Sequence, residues 1–216
     1  MTTAKPSSRP RPPIIFVIFG VGGVGKGTIV TRLLRLRDNL WLSRSWTTRR
    51  RRSSELTGAY VFVDRDEFMV RTKADGFVEW TEFAGNGQLY GTPTLDAPEG
   101  LDVVLEIEID GAAQVKQRYP EAVLVLIAAP SQQVQAQRLR QRGDDEPSVA
   151  RRLAVGEEED RVGRRMADYV VVNDDLGRAS QELAGIVDSC RERADGLRPE
   201  QATAPVSTDA GKQRRR

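Results

Sequence analysis

Gly20-Val21-Gly22-Gly23-Val24-Gly25-Lys26-Gly27-Thr28 decides the reading of this chain. The stretch fits G-x-x-x-x-G-K followed by Gly-Thr, in which glycines let the backbone curl until several N–H groups point at one anion. Immediately before it, Ile14-Ile15-Phe16-Val17-Ile18-Phe19 is an apolar, β-rich run with no polar face, the pattern of a buried strand in a parallel sheet. Immediately after it, Lys26 to Arg37 offers Ile29, Leu33, Leu34 and Leu36 as the apolar face of a helix. Strand, glycine loop and helix in that order put the positive end of a helix dipole behind the loop and Lys26 within reach of the β- and γ-phosphates of a nucleoside triphosphate. The same residues also fit a dinucleotide pattern, Gly20-x-Gly22-x-x-Gly25, with Asp38 near the place of a ribose-binding acid. Asp38 precedes the next candidate strand instead of ending it, however, and a lysine at the mouth of the helix is the mark of a phosphate loop.

Outside this stretch the composition narrows the chemistry. A chain of 216 residues suffices for one α/β domain with mobile parts. Lys+Arg 33 against Asp+Glu 31 leaves a net charge of +2, which gives no general electrostatic case for nucleic acid as a partner. With no histidine and Cys190 as the one cysteine, an imidazole base, a Ser-His-Asp triad, an intrachain disulfide and a thiolate zinc site are all excluded or nearly so. A metal would be held by oxygen, which points to Mg²⁺. No apolar run is long enough to cross a bilayer. Residues 1–13, rich in Pro, Arg and Ser, read as a disordered leader, and 198–216, ending Lys212-Gln213-Arg214-Arg215-Arg216, as a disordered basic tail. The expectation is a cytoplasmic monomer or homodimer whose partners are small nucleotides, with no role for nucleic acid or membrane.

Between those ends, strands are expected at Trp41 to Trp46, Ala59 to Val63, Phe77 to Phe83, Leu101 to Ile109, Ala122 to Ala128 and Tyr169 to Val172. Helices are expected at Asp66 to Asp75, Gln114 to Arg118, Ser131 to Arg142, Ala150 to Arg165 and Ala179 to Arg193. The alternation implies an α/β fold with a parallel sheet.

Four consecutive arginines, Arg49 to Arg52, read by themselves as a solvated face or a localisation signal. Guanidinium forks match phosphate oxygens in pairs. Glu79 stands in a strand beside Trp80, and Glu106 and Glu108 interrupt a strand that should be buried, where acids are costly unless they meet cations or ligands.

Ser45-Trp46-Thr47-Thr48-Arg49 with Arg52 and Glu55, then Gly58, Tyr60 and Phe62, then Phe77-Val78-Glu79-Trp80, then Leu89-Tyr90-Gly91-Thr92 resemble, in order, the motifs of the guanylate kinases. The resemblance runs from about Ile14 to Asp175. It implies a P-loop NTPase core over 14–197 with its parallel sheet flanked by helices, an inserted GMP-binding subdomain near 45–95 and a mobile lid near 138–155. It implies that Gly20 to Thr28 (Gly20, Val21, Gly22, Gly23, Val24, Gly25, Lys26, Gly27 and Thr28) and Asn173 bind ATP. Ser45, Arg49, Arg52, Tyr60, Glu79, Tyr90, Gly91, Thr92 and Glu106 would then bind GMP. Lys26, Arg138, Arg142 and Arg152 would be catalytic, and Glu108 and Thr28 would lie in the Mg²⁺ region. The reaction so implied is ATP + GMP → ADP + GDP. Departures from the family pattern are Gly27 directly after Lys26, Glu108 in place of Asp, Asp110 in place of Gln, and one residue fewer within Gly143 to Ser148. A related kinase acting on ribose 1,5-bisphosphate or another nucleoside monophosphate, and a binding module without catalysis, are the two rival readings.

Overall fold

The computed structural model describes residues 11–51, 58, 60–83 and 87–196. β1 (Ile15–Phe19) is apolar on both faces, and Phe16 to Phe19 are wholly buried, so it takes the centre of a five-stranded sheet. The order is β2 (Leu40–Leu42), β7 (Asp102–Ile107), β1, β8 (Val123–Ala128), β9 (Tyr169–Val172). Every neighbouring pair is parallel. The helix α1 (Lys26–Leu36) packs with α6 (Leu176–Ala194), and α3 (Ile109–Arg118) with α5 (Glu146–Met166). Because β2 and β7 lie on one side of β1 and β8 and β9 on the other, the loop leaving β1 sits at the switch point of the sheet, where a crevice opens.

A second sheet follows the order β4 (Val61–Phe62), β3 (Trp46–Thr47), β6 (Gln88–Pro93), β5 (Phe77–Phe83). It has a small core of its own, in which Phe68 from α2 (Arg65–Lys73) stacks on Phe77 with ring centroids 4.5 Å apart, beside Leu89. A third cluster, Ala136, Leu139 and Val149, joins α4 (Gln132–Gln141) to α5. Among the described residues no helix is long and apolar enough to cross a membrane.

Several elements depart from the sequence expectation. The single strand expected over Trp41 to Trp46 is two strands in different sheets. Ser43 N–H still bonds Val104 in the parallel sheet, whereas Ser45 C=O already accepts from Val61 in the second. Both serines are buried, so the alternation that looked like one strand is a crossing between two. The strand expected to reach Ile109 stops at Ile107, and α3 starts at Ile109, five residues before the expected Gln114. Gly111 in its first turn masked the helical pattern. β6 was not expected as a strand, because Gly91 and Pro93 argue against one. The glycine is required by packing: a Cβ at 91 would stand 3.0 Å from the rings of both Phe68 and Phe77.

Arg11, which the sequence reading put within a disordered leader over 1–13, is tied to the fold. Its guanidinium donates to both oxygens of Asp102 at 2.7 and 2.9 Å, Arg191 Nε donates at 2.7 Å, and the Ile14 N–H at 2.8 Å. One buried carboxylate thus ties the start of the fold and α6 to β7. Burial pushes the Asp102 carboxyl up, but the hydrogen bonds from Arg11, Arg191 and Ile14 outweigh it and hold it below the ordinary value. Removing one partner of a buried pair costs about 3–5 kcal/mol. We expect Asp102→Asn to lower the melting temperature by roughly 6–20 °C, at about 2–4 °C per kcal/mol for a chain of this size. The folded-state value is depressed, so the wild-type advantage is present above the unfolded carboxyl value and is lost as pH falls through the folded one. Thermal melts of both proteins at neutral pH and at progressively lower pH check this, and a difference that does not shrink in acid would contradict it.

Candidate active site

The glycine loop opens onto a cleft of about 1490 Å³, larger than the roughly 300–1,000 Å³ of a single small-ligand pocket and so large enough for two nucleotides. Gly25, the N-cap of α1, has φ +96°, and a Cβ there would stand 2.4 Å from Asn173 Nδ2. Only glycine lets the loop close on the turn after β9 at this point. Asn173 Nδ2 donates to Val24 C=O at 2.8 Å, and its buried Oδ1 has no hydrogen-bond partner, an acceptor left for a ligand. Arg138 donates to Val24 C=O at 3.1 Å and to Asn173 C=O at 2.8 Å, binding α4 to the loop and to the turn after β9. Gln135, which the sequence reading missed, donates to Gly22 C=O at 2.8 Å. Its position one turn before Leu139 on α4 gave no signal.

Lys26 is 8% exposed, and its Nζ donates to Gly20 C=O, to Val21 C=O at 3.3 Å and to Glu108 Oε1 at 3.1 Å. The ammonium is thus folded back over the loop and held by a carboxylate. Glu108 is also the N-cap residue of α3, though its side chain makes no capping bond. Glu106, half-buried at the end of β7, directs its oxygens toward Gly27, 3.2 Å from the place of a Cβ. Burial pushes its carboxyl up, Lys26 opposes the shift, and Glu108 adds to it. Thr28 is exposed on the first turn of α1 and faces the same cleft.

The second sheet supplies the opposite wall. The Arg49 guanidinium lies over the ring of Tyr60 at 4.9 Å and of Phe62 at 5.3 Å, and Tyr60 and Tyr90 meet edge to face at 6.3 Å. Burial, with Glu106, Glu108 and Tyr90 nearby, pushes the Tyr60 phenol well above its ordinary value, so it remains a hydrogen-bond donor. Glu79 is 4% exposed. Its Oε1 accepts from Thr92 N–H at 3.0 Å and Thr92 Oγ at 2.6 Å, while Oε2 faces Gly111 across 2.8 Å to the place of a Cβ. Burial raises the Glu79 carboxyl, and the two bonds from Thr92 pull against that. A side chain at Gly111 would displace the carboxylate. That close approach had no sequence signal beyond a glycine in the first turn of a helix.

Of the residues expected in the site, Val21, Gly22, Gly23, Gly25, Lys26, Gly27, Thr28, Ser45, Arg49, Tyr60, Glu79, Tyr90, Glu106, Glu108, Arg138, Arg142, Arg152 and Asn173 line this one cleft. Four expected residues do not line it. Gly20 faces β8, where a Cβ would stand 2.4 Å from the Ile127 carbonyl oxygen. Val24 is buried in the main core, Gly91 lies under the phenyl rings, and Thr92 acts on Glu79. Arg52 and Glu55 lie outside the described residues, as do 1–10 and 197–216.

A parallel sheet in this order, with a lysine-bearing glycine loop at its switch point and a second sheet facing that loop, defines a P-loop nucleotide kinase. A family model described as guanylate kinase matches residues 12–190, and the chain belongs to that family. The guanylate kinase of Prochlorococcus marinus strain SARG is 42% identical over 181 residues, which cover 81% of this chain and 97% of the relative. That of Thermus thermophilus is 42% identical over 186 residues, 83% of each chain. The crystal structure of guanylate kinase from Anaplasma phagocytophilum superposes with a TM-score of 0.65 at 26% identity, covering 88% of this chain and 89% of that one.

Proposed function

We infer that the chain transfers the γ-phosphoryl group of ATP to GMP, giving ADP and GDP. The observation that carries this is the pairing of Lys26 and its loop with the buried Glu79 carboxylate in one cleft. In this reading the loop amides and Lys26 hold the donor phosphates, and Arg138 and Asn173 flank the adenine end. Glu79 Oε2 takes the N1–H and N2–H₂ of guanine, with Ser45 beside it, and Thr92 fixes the rotamer of Glu79. Arg49, Tyr60 and Tyr90 hold the acceptor phosphate, and Glu106 the acceptor ribose side. An oxygen of the acceptor phosphate forms the new bond to the γ-phosphorus as the bond to the ADP oxygen breaks. That oxygen is already nucleophilic, so the work left for the protein is alignment and charge stabilisation. Arg142 and Arg152 provide the latter from the hairpin of α4 and α5, read here as a lid that excludes water as it closes.

Among the described residues no three acidic side chains gather as a metal cage. That suits Mg²⁺, which keeps several waters and is held largely by substrate phosphates. Glu108 and Thr28, which both line the cleft, would meet its hydration shell, and the ion would neutralise charge on the phosphates. We place the enzyme in purine nucleotide metabolism in the cytoplasm, with the 45–95 region as the acceptor subdomain.

Following ADP release with GMP, dGMP, AMP, UMP and ribose 1,5-bisphosphate tests the assignment. Turnover is expected with GMP and at most weakly with AMP or UMP. Turnover on the ribose bisphosphate without turnover on GMP would reject it, and so would GMP binding without any turnover.

A further inference from the structure

The turn between α4 and α5 holds a carboxylate that the reaction above does not use. Asp144 N–H bonds Leu139 C=O at 3.2 Å, and the next residue, Asp145, caps α5 by accepting from Ser148 N–H at 2.9 Å. The Asp144 side chain is only 13% exposed. Its Oδ2 stands 3.7 Å from Arg142 Nη2 and 3.7 Å from Arg152 Nε. That oxygen is enclosed and makes no hydrogen bond. Arg152 reaches onward from this contact, with Nη1 lying 2.9 Å from the place of a Cβ on Gly22 of the phosphate loop. Both arginines line the cleft.

We propose that Asp144 is a positioning residue for phosphoryl transfer. Its carboxylate holds Arg142 and Arg152 side by side on the lid until the oxygens of the transferring phosphoryl group take its place. The proposal rests on the phosphotransferase reading above. Two guanidinium groups aimed at one phosphoryl group repel each other before it arrives, and a shared anion removes that repulsion. At 3.7 Å the contact is an ion pair beyond hydrogen-bond reach, so it sets spacing without engaging the directional N–H donors. Phosphate oxygens accept those donors in short, charge-assisted and bidentate bonds and so displace a carboxylate held only by charge. An arginine pair already at its working separation does not have to be ordered during the reaction.

The test compares wild type with Asp144→Asn, which keeps shape and removes charge, and with Asp144→Glu, which keeps charge. The readouts are kcat, the KM for each nucleotide, the melting temperature, and the affinity for a bisubstrate analogue that joins adenosine and guanosine through a polyphosphate. Asp144→Asn is expected to lower kcat by about 10–100-fold, the scale of a misplaced catalytic group. It should weaken the bisubstrate analogue but leave the GMP KM within about three-fold, because GMP is held by the other sheet. Asp144→Glu should recover part of the lost kcat. In an Arg152→Ala background, Asp144→Asn should cost little more, since one of the two guanidinium groups is gone and with it the repulsion that the carboxylate offsets. Wild-type kcat in Asp144→Asn would overturn the proposal, as would a full additional loss in the Arg152→Ala background. If Asp144→Asn proves unstable, Asp144→Glu decides the matter instead, and its bisubstrate affinity must lie nearer wild type than that of Arg152→Ala. If wild type itself shows no turnover on GMP, the phosphotransferase reading fails and the proposal fails with it. Failure confined to the variants touches the proposal alone.

Discussion

Lys26→Met is expected to give a folded protein that still binds GMP and turns over about 10³-fold more slowly, the scale seen when a preorganised charge at a transferring phosphoryl group is removed. The lysine sits at 8% exposure, between the carbonyls of Gly20 and Val21 and the carboxylate of Glu108. Its four-carbon stem is packed while the ammonium meets polar groups only, so a thioether of similar length fills the same space. Stability should change little. The ion pair with Glu108 is 44% exposed on the carboxylate side, and water screens much of what is lost. The loss should fall on kcat and not on the KM for GMP, because the acceptor is held by the second sheet. Steady-state kinetics with thermal melts of both proteins settle the matter. A kcat within about ten-fold of wild type would mean that the ammonium does not leave Glu108 for the phosphates, and the donor side of the site would have to be redrawn.

For Glu79→Gln the expected result is a drop of about 10²–10³ in kcat/KM for GMP, with the KM for ATP unchanged. A bidentate pair with a base contributes about 1–3 kcal/mol of discrimination, and a buried donor left facing another donor adds its own desolvation cost. The glutamine can keep one oxygen toward Thr92 and so presents its NH₂ to the guanine donors, or it can reverse and break the Thr92 contacts at 3.0 and 2.6 Å. Neither orientation restores both partners. Burial has raised the Glu79 carboxyl, so it gains a proton at a higher pH than an exposed glutamate would. The wild-type KM for GMP should therefore climb as pH is lowered into that range, while Glu79→Gln, with nothing to titrate there, should stay flat. Equal efficiency of the two proteins on GMP would remove Glu79 from base recognition.

The legible part of the fold was the part written in continuous patterns. β1, β8 and β9 are runs of aliphatic and aromatic residues, and α1 has an apolar stripe, whereas the caps Asp145 and Asp175 went unread, so that α5 and α6 start four and three residues earlier than expected. The misread elements were those where a glycine or a serine stands for a reason outside its own segment. Gly91 interrupts β6 because two rings from α2 and β5 lie over it, and Gly111 opens α3 because Glu79 approaches from another sheet. Ser43 and Ser45 sit where the chain crosses between sheets. Asp102, an acid buried at the start of β7, meets Arg11 and Arg191 from the two ends of the described chain. The site residues came in part from the chemistry of the phosphate loop and the arginine run and in part from resemblance. Gln135 and Asp144 carried neither kind of signal.

By itself the sequence determined what depends on neighbours along the chain. It set the anion-binding loop, the absence of histidine chemistry, the parallel core and the residue types that suit phosphate and guanine. Those follow from backbone conformation and side-chain chemistry within a few residues. Tertiary structure alone decided that Lys26 rests on Glu108, that Oε1 of Glu79 is taken by Thr92 while Oε2 is left to the cleft, and that Asp144 stands midway between two arginines. Each of these is a contact between segments brought together by burying separate apolar faces. The energy that brings them together is non-directional, and it acts through residues other than the ones it positions.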